Sequence, residues 1–585
     1  MILNRHQRTA VHETNHSVVV ACPGSGKTRV LVEKAAHLRQ GAPDADIIIV
    51  TFTRQAADEL RRRLTRKMAS LARLRVATFH SLALQQLMGQ SSSRICGPSE
   101  QQALLRGIAE AHLLPEDVRR FQQAADAYAS GVSSALDNPD FQAAYDAYLE
   151  LLAKHSALDV SHAILSAVKA MEAGEIHPFR CDYLLVDEVQ DIDPTQIRWV
   201  VAHTNHGARL TVVGDDDQSI YGWRHSQGYR GMRQLEKHHR ATVITLSTNY
   251  RSHDSVLGLA IKLIGHNVNR VPKDLFSAKG PGGSAHLHSR FWSDHDEALS
   301  CIDHAKAYDG KFAVIARTNR KLNLVASLLA EQEIPFSRPG GNQFWEAEEP
   351  ALFLRLIGPV GLRDPLVQTI LNAYLSPQDK SGRRQLAFNA LDRALRSHPT
   401  TSNPNPRAAV VRDWLMEFCV LPTDPRRERF EQMVQLAHRY FCEMPGNLTA
   451  RLEAVSRPKS TKEERIVLLT MHGAKGREFP GVWIIGCQDG TIPSRRSADL
   501  EEERRLLYVA ITRAERDLNM SFAWNQLVDG GDSTRRLTPS RFLTVDMGLP
   551  VPEREQVPRS KAGAQTTHRS PPGPDVFEAP SYTGW

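Results

Sequence analysis

Ala21-Cys22-Pro23-Gly24-Ser25-Gly26-Lys27-Thr28 follows directly on the β-branched run Ser17 to Ala21 and opens an amphipathic helical pattern that ends near Gly41. In a strand, glycine loop and helix of this kind, backbone N–H groups and the helix N-terminus cradle phosphates. Lys27 offers a point charge to the β and γ groups, and the Thr28 hydroxyl holds Mg²⁺. Ala21 stands where the general pattern has its first glycine, but Gly24, Gly26, Lys27 and Thr28 are all in place. A chance glycine loop would not explain both flanks.

Outward from this loop, short β-branched runs alternate with longer helical patterns, the alternation that builds parallel sheets covered by helices. Strands are predicted at 17–21, 46–50, 75–77, 183–186, 210–213 and 243–246, and a second series at 312–316, 334–336, 466–470, 482–485 and 518–522. Two series imply two α/β domains. Each is interrupted by a helix-rich stretch, about 88–180 and about 361–462, the latter broken by the turn-rich loop Thr400 to Arg407. After about residue 546 prolines and small polar residues dominate, the composition of a disordered tail or docking segment.

Tyr183-Leu-Leu-Val-Asp-Glu-Val-Gln-Asp191 is the second informative segment, an apolar strand that delivers adjacent carboxylates at its end. A metal-bound triphosphate needs one carboxylate for Mg²⁺ and another to orient and deprotonate the attacking water. Asp187 suits the first role and Glu188 the second. A solvated acidic turn is the plainer reading of a lone Asp-Glu pair, but it leaves the apolar strand and the P-loop unexplained. Polar turns also follow other strands, in Thr51-Phe-Thr-Arg-Gln55, Val213-Gly-Asp-Asp-Asp-Gln218 and Asn249-Tyr-Arg-Ser252. In open α/β sheets ligands bind just outside the carboxyl ends of the strands, so these turns are expected to share a crevice with the P-loop.

The 585 residues exceed what one hydrophobic core of roughly 250 to 300 residues can serve. The apolar share of 41% and charged share of 24% are those of an ordinary folded chain, which excludes global disorder. A net charge of +7 permits a polyanionic partner without demanding one. The seven cysteines are scattered without a C-x-x-C pair, which fits a reducing cytoplasm. No run approaches the ~18 apolar residues of a membrane helix.

These segments, in this order, resemble the superfamily 1 helicases of the UvrD/Rep/PcrA group. The likeness runs from Leu3 to about Leu518 and adds Thr78-Phe-His-Ser81, Gly214 to Arg224, Leu469 to Phe479 and Glu501 to Ala514. It implies two RecA-like P-loop domains with parallel sheets, each carrying a helical insertion. The expected bounds are 1–87 with 180–252 for the ATP-binding domain and 88–179 for its insertion. The second domain would take 253–360 with 463–545, and 361–462 its shortened insertion. By resemblance, Gln7 reads the adenine edge and Tyr250 stacks on the base, Gln218 senses the γ-phosphate, and Gly476 and Glu478 lie near the ribose and phosphates. Arg251 and Arg513 are the expected arginine fingers. Phe52, His80, Tyr221, Trp223 and Arg224, with Thr470 and His472 from the second domain, are the expected DNA contacts, since aromatic faces tolerate any base. A lone aromatic is more often core, and Arg61 to Arg63 reads first as a solvated helix face.

The resemblance further implies ATP and Mg²⁺ as cofactors, and single-stranded and tailed duplex DNA as partners. It implies 3′ to 5′ movement with duplex unwinding, in repair, replication or recombination. Alternatives are a translocase or motor subunit of a repair or phage-defence complex that unwinds weakly alone, with a protein partner on the tail, and a slow ATP-switched binding module. Two departures bear on DNA rather than ATP: His225-Ser-Gln227 replaces the family's Gly-Ala-Asp, and Arg477 its leucine. His12-Glu-Thr-Asn-His16 matches a zinc-protease pattern, but it reads as a helix end with no further ligands nearby.

Overall fold

A computed structural model describes residues 2–551 apart from 90–93, 97, 114–116, 340–344, 346–347, 359–382, 398–402, 419–426, 457–463 and 529–532. The expected tail and part of the second insertion therefore lie outside the described residues. The chain forms two compact units, the first Met1–Arg251 with Asn267–Lys279, the second Ser252–His266 with the described residues from Gly280 onward. The sequence reading ran the second domain unbroken from residue 253, whereas the structure returns 267–279 to unit 1. The reason is local: Phe276–Ser277 pairs in parallel with Thr248–Asn249, and Lys273 is ion-paired inside unit 1.

In chain order the strands of unit 1 are β1 Ser17–Ala21, β2 Ile47–Thr51, β3 Leu74–Thr78, β4 Arg94–Cys96, β5 Ala157–Asp159, β6 Tyr183–Val186, β7 Arg209–Gly214, β8 Thr242–Leu246, β9 Thr248–Asn249 and β10 Phe276–Ser277. Its main sheet is parallel with order β3-β2-β6-β7-β1-β8. Successive side chains point to opposite faces of a strand, and here both faces are buried. Val18, Val20, Ile48, Val50, Leu184 and Val186 pack in one core; Val19, Ala21, Ile47, Ile49 and Leu185 pack in the other. This is why these runs read as continuous β-branched stretches rather than as alternating ones. The helical insertion has its own core, from Cys96 through Phe121 and Tyr148 to Ala157.

Unit 2 adds β11 Ser284–Ser293, β12 Phe312–Ala316, β13 Phe336–Ser337, β14 Ile466–Thr470, β15 Phe479–Ile485, β16 Ala514–Val528 and β17 Ser533–Arg536. Their order is β11-β16-β15-β12-β14-β13, all parallel, with β17 antiparallel on β16. The run predicted at 334–336 is strand only at Phe336–Ser337. Neither β11 nor β17 was anticipated. In β11, Ala285, Leu287, Ser289 and Phe291 face inward while histidines and an arginine alternate with them, so no apolar run announces the strand. The second helical core takes in Trp345 to Ile357 as well as helices between Leu391 and Val455. The helix Asn405–Phe418 begins inside the expected Thr400–Arg407 loop, with Pro406 in its first turn.

A polar cluster under the first sheet sets an acid limit on this fold. Trp199 Nε1 donates to Gln86 Oε1 at 2.9 Å, the Gln86 amide lies 3.4 Å from His203 Nε2, and His203 Nδ1 lies 2.8 Å from the Trp199 carbonyl. This pattern assigns the neutral tautomer, with Nδ1–H donating and Nε2 accepting. Burial lowers the His203 pKa to about 4, against the hydrogen bond to Trp199. The unfolded chain therefore binds the extra proton more readily, and the stability contribution, intact above about 6.5, is lost as pH falls toward 4. Urea titrations of the wild type across that window are expected to lose more midpoint than those of His203→Gln.

Candidate nucleotide site and nucleic-acid interface

β6, β7 and β1 are immediate neighbours, so the turns after them lie side by side at strand spacings of about 4.8 Å. These turns carry Asp187 and Glu188, Asp215 to Gln218, and the P-loop. Gly24 and Gly26 have φ of +66° and +83°, which L side chains rarely adopt, and a Cβ on Gly24 would stand 2.6 Å from the Cβ of Arg251. Ser25 Oγ donates to the Cys22 carbonyl at 2.8 Å, and Gly26 caps the helix Lys27–Gly41. Burial pushes the Cys22 thiol up to about 12, which leaves it an inert packing group.

Lys27 Nζ stands 4.0 Å from Glu188 Oε2. Glu188 occupies the left-handed region with φ +52°, where the extended course of β6 ends. Burial, with Glu188 beside it, lifts Asp187 to about 7, while Lys27 pulls the other way. A buried carboxylate with a half-buried one beside it fits a divalent cation, and Asp187 with Thr28 are the residues that would hold it.

The opposite wall is built by long-range hydrogen bonds. Asn4 caps the first helix, Arg5–His12, in a reciprocal box with Gln7, and its amide donates to Tyr250 Oη at 2.9 Å. Gln7 Nε2 donates to the Ser25 carbonyl at 2.9 Å, Asn249 Nδ2 to the Pro23 carbonyl at 2.8 Å, and the Tyr250 N–H to the Gly24 carbonyl at 3.0 Å. Arg251 N–H donates to Asn249 Oδ1 at 2.8 Å. Gln7, Tyr250 and Arg251 thus meet at the P-loop although some 240 residues separate them in sequence. Gln218 is buried, and its amide donates to Asp215 Oδ2 at 2.5 Å.

Several residues here carry no role in the sequence pattern. Gln190, wholly buried, donates to Glu188 Oε2 at 2.6 Å and accepts the Asp215 N–H at 2.9 Å, joining two motifs. Its place beside Asp187 and Glu188 was the available signal. Asn249 stands in the 249–252 turn without a role of its own, Asn4 lies three residues before Gln7, and Lys273 adjoins no motif.

The expected DNA contacts of unit 1 form one cluster. Phe52 stacks on Tyr221 with centroids 5.9 Å apart, Tyr221 meets Trp223 edge-on, and the Arg224 guanidinium lies 4.5 Å from the Trp223 ring centre. Trp223 is 62% exposed, which a core tryptophan would not be. Burial holds the His80 pKa below its usual value, with Asp159 opposing the shift and Arg224 and Arg54 adding to it. Arg61, Arg62 and Arg63 are paired with Asp58 and Glu59 on their own helix, the solvated face expected of them.

In unit 2, Thr470 ends β14 and its hydroxyl accepts the Gly473 N–H at 3.1 Å; His472 is half-buried in the turn. Gly476 has φ +81° and Glu478 is exposed. Arg513 is 1% exposed, donating to the carbonyls of Val509 and Arg477 and to Thr512 Oγ1. The Phe479 N–H donates to the Arg513 carbonyl, so Arg513 and the Gly476–Glu478 turn form one local group. The His12–His16 pattern ends the first helix, with His12 against His37 and His16 stacked on His239; no metal-ligand group forms there among the described residues.

The model of the UvrD/REP helicase N-terminal domain matches residues 3–239, and that of the UvrD-like helicase C-terminal domain matches 244–358 and 427–525. DNA helicase II of Escherichia coli is 30% identical over 92% of this chain and 87% of its own length. The ATP-dependent DNA helicase Rep of the same organism is 28% identical over 93% of this chain and 94% of its own. DNA helicase II of Haemophilus influenzae is 28% identical, covering 92% and 86%. With family models matching both halves of the chain, and a P-loop, a strand-end carboxylate pair and an exposed aromatic shelf in the first, the chain belongs to the UvrD/Rep helicase family.

Proposed function

We propose that this enzyme is an ATP-driven motor that moves 3′ to 5′ on single-stranded DNA and unwinds tailed duplex. The observation that carries the reading is the convergence of Lys27, Asp187, Glu188 and Gln218 at three neighbouring strand ends, beside Arg251. In this reading the P-loop N–H groups and Lys27 hold the phosphates of ATP, and Thr28 with Asp187 hold Mg²⁺. Glu188 takes the proton of the attacking water and Gln218 responds to the γ-phosphate. Gln7 and Tyr250 bind the base, with Gly476 and Glu478 toward the ribose and phosphates. Arg251 and Arg513 neutralise charge in the transition state, an effect worth roughly 10³ to 10⁵ in rate for a positioned guanidinium. To act so, Arg513 must exchange its present acceptors, among them the Val509 and Arg477 carbonyls and Thr512 Oγ1, for phosphate oxygens.

The aromatic shelf of Phe52, Tyr221 and Trp223, with His80 and Arg224, is assigned to the bases of the track, with Thr470 and His472 from unit 2. A cavity of about 1040 Å³ in unit 2 bears the exposed arginines Arg495, Arg496, Arg535 and Arg536, cations suited to a phosphate backbone.

Lys27→Ala and Glu188→Gln are each expected to abolish DNA-stimulated ATP hydrolysis while single-strand affinity, read by fluorescence anisotropy, changes little; full turnover by Glu188→Gln would remove that residue as the base. Binding should weaken with salt by a log–log slope of about −0.7 per phosphate neutralised, and Arg535→Ala with Arg536→Ala should flatten it. On duplexes with one single-stranded tail, the purified chain should open the 3′-tailed and spare the 5′-tailed substrate. ATP consumption without strand separation on either would favour a translocase that needs a partner.

A further inference from the structure

The segment 267–279 carries a cation whose position no ATP-site role explains. The Lys273 side chain is wholly buried, although the residue's backbone is partly open, and its ammonium lies 2.9 Å from Asp215, 2.7 Å from Asp216 and 2.9 Å from Asp217. It also donates to the Ala21 carbonyl, at the foot of the P-loop, at 3.4 Å. Arg270 pairs with Asp217 through two hydrogen bonds of 2.7 and 2.8 Å, and the Val271 N–H donates to Asp216 Oδ2 at 2.6 Å. Three neighbouring carboxylates of this kind, which otherwise have the look of a cation site, are thus already filled by a lysine from the protein itself.

Asp215 is the link that matters for chemistry. One of its oxygens takes the Lys273 ammonium, and the other takes the Gln218 amide. We infer that Lys273 is a positioning residue for ATP hydrolysis: it fixes Asp215, and through Asp215 the orientation of the Gln218 amide and its distance from the P-loop. The Gln218 side chain has several staggered rotamers, and its bond to Asp215 selects among them. A carboxylate held by a fixed cation is a stiffer anchor than one free to rotate, and misplacement of a transition-state contact by about 1 Å can cost 10²-fold in rate. The inference rests on the proposed role of Gln218 and goes beyond it by naming what sets that side chain.

The test compares steady-state ATP hydrolysis on saturating single-stranded DNA in four variants. Lys273→Met alone leaves three buried carboxylates against Arg270, so it is paired with Asp216→Asn, which restores the local charge count. This double variant is expected to keep its KM for ATP within about threefold and to lose about 10-fold or more in kcat. Asp216→Asn alone, which keeps the Lys273 to Asp215 contact, should retain kcat. Adding Gln218→Ala to the double variant should bring kcat no lower than Gln218→Ala alone, because the lysine acts through that side chain. A kcat equal to that of Asp216→Asn, or losses that multiply with Gln218→Ala, would overturn the inference. Full activity of Gln218→Ala by itself would instead remove the role proposed for Gln218, and this inference with it. If the Lys273 variants do not fold, Asp215→Asn, which leaves the lysine two carboxylates, carries the same expectation of lowered kcat at unchanged KM.

Discussion

Charge buried at the ends of two neighbouring strands is the constraint on which unit 1 depends. Asp187 and Glu188 follow β6, and Asp215, Asp216 and Asp217 follow β7, with four of the five buried. An uncompensated buried carboxylate costs several kcal/mol, so this grouping persists only where cations are brought to it. Lys27 arrives from the P-loop, and Lys273 and Arg270 arrive from a segment some 55 residues further along. The requirement explains why that segment leaves the course of unit 2 and packs in unit 1. A nucleotide with its metal, placed at the same ends, would meet an environment whose charges are already fixed in position, the preorganisation that makes electrostatic stabilisation effective.

The loop after β7 runs from a buried polar cluster to an exposed aromatic shelf. Asp215 and Gln218 occupy its buried start, while Tyr221, Trp223 and Arg224 stand on its open end, against Phe52 from the end of β2. Only two residues separate Gln218 from Tyr221, so a shift at Gln218 is carried by a few backbone bonds to the aromatic shelf. His225 continues the turn at φ +61°, a conformation costly for an L residue and consistent with a loop of fixed shape. Gln190 ties this loop back to Glu188, its buried amide donating to the Glu188 carboxylate and accepting the Asp215 N–H.

Much of this was legible in the sequence because the decisive segments are short and locally determined. The P-loop needs glycines at +66° and +83°, and β6 must be apolar on both faces, so both leave plain signatures. The roles of Gln7, Tyr250 and Arg251 came from family resemblance, and their meeting at the P-loop depends on sheet order, which no local pattern encodes. Lys273 was invisible for a physical reason: a lysine in a proline-containing stretch reads as solvated until the three carboxylates it neutralises are placed around it. β11 escaped because histidine and serine occupy much of its alternation. Arg513 was found by its motif, but its burial against Val509, Thr512 and Arg477 could not be inferred from that motif.

The path of the backbone has a consequence for how the molecule is made. Unit 1 closes only with Lys279, after the chain has already contributed Ser252–His266 to unit 2. On a ribosome, the acidic turn after β7 therefore emerges well before the lysine that neutralises it, and the nascent nucleotide-binding half must wait in an electrostatically incomplete form. Any fragment cut after Arg251, where a simple boundary would fall, inherits the same defect permanently.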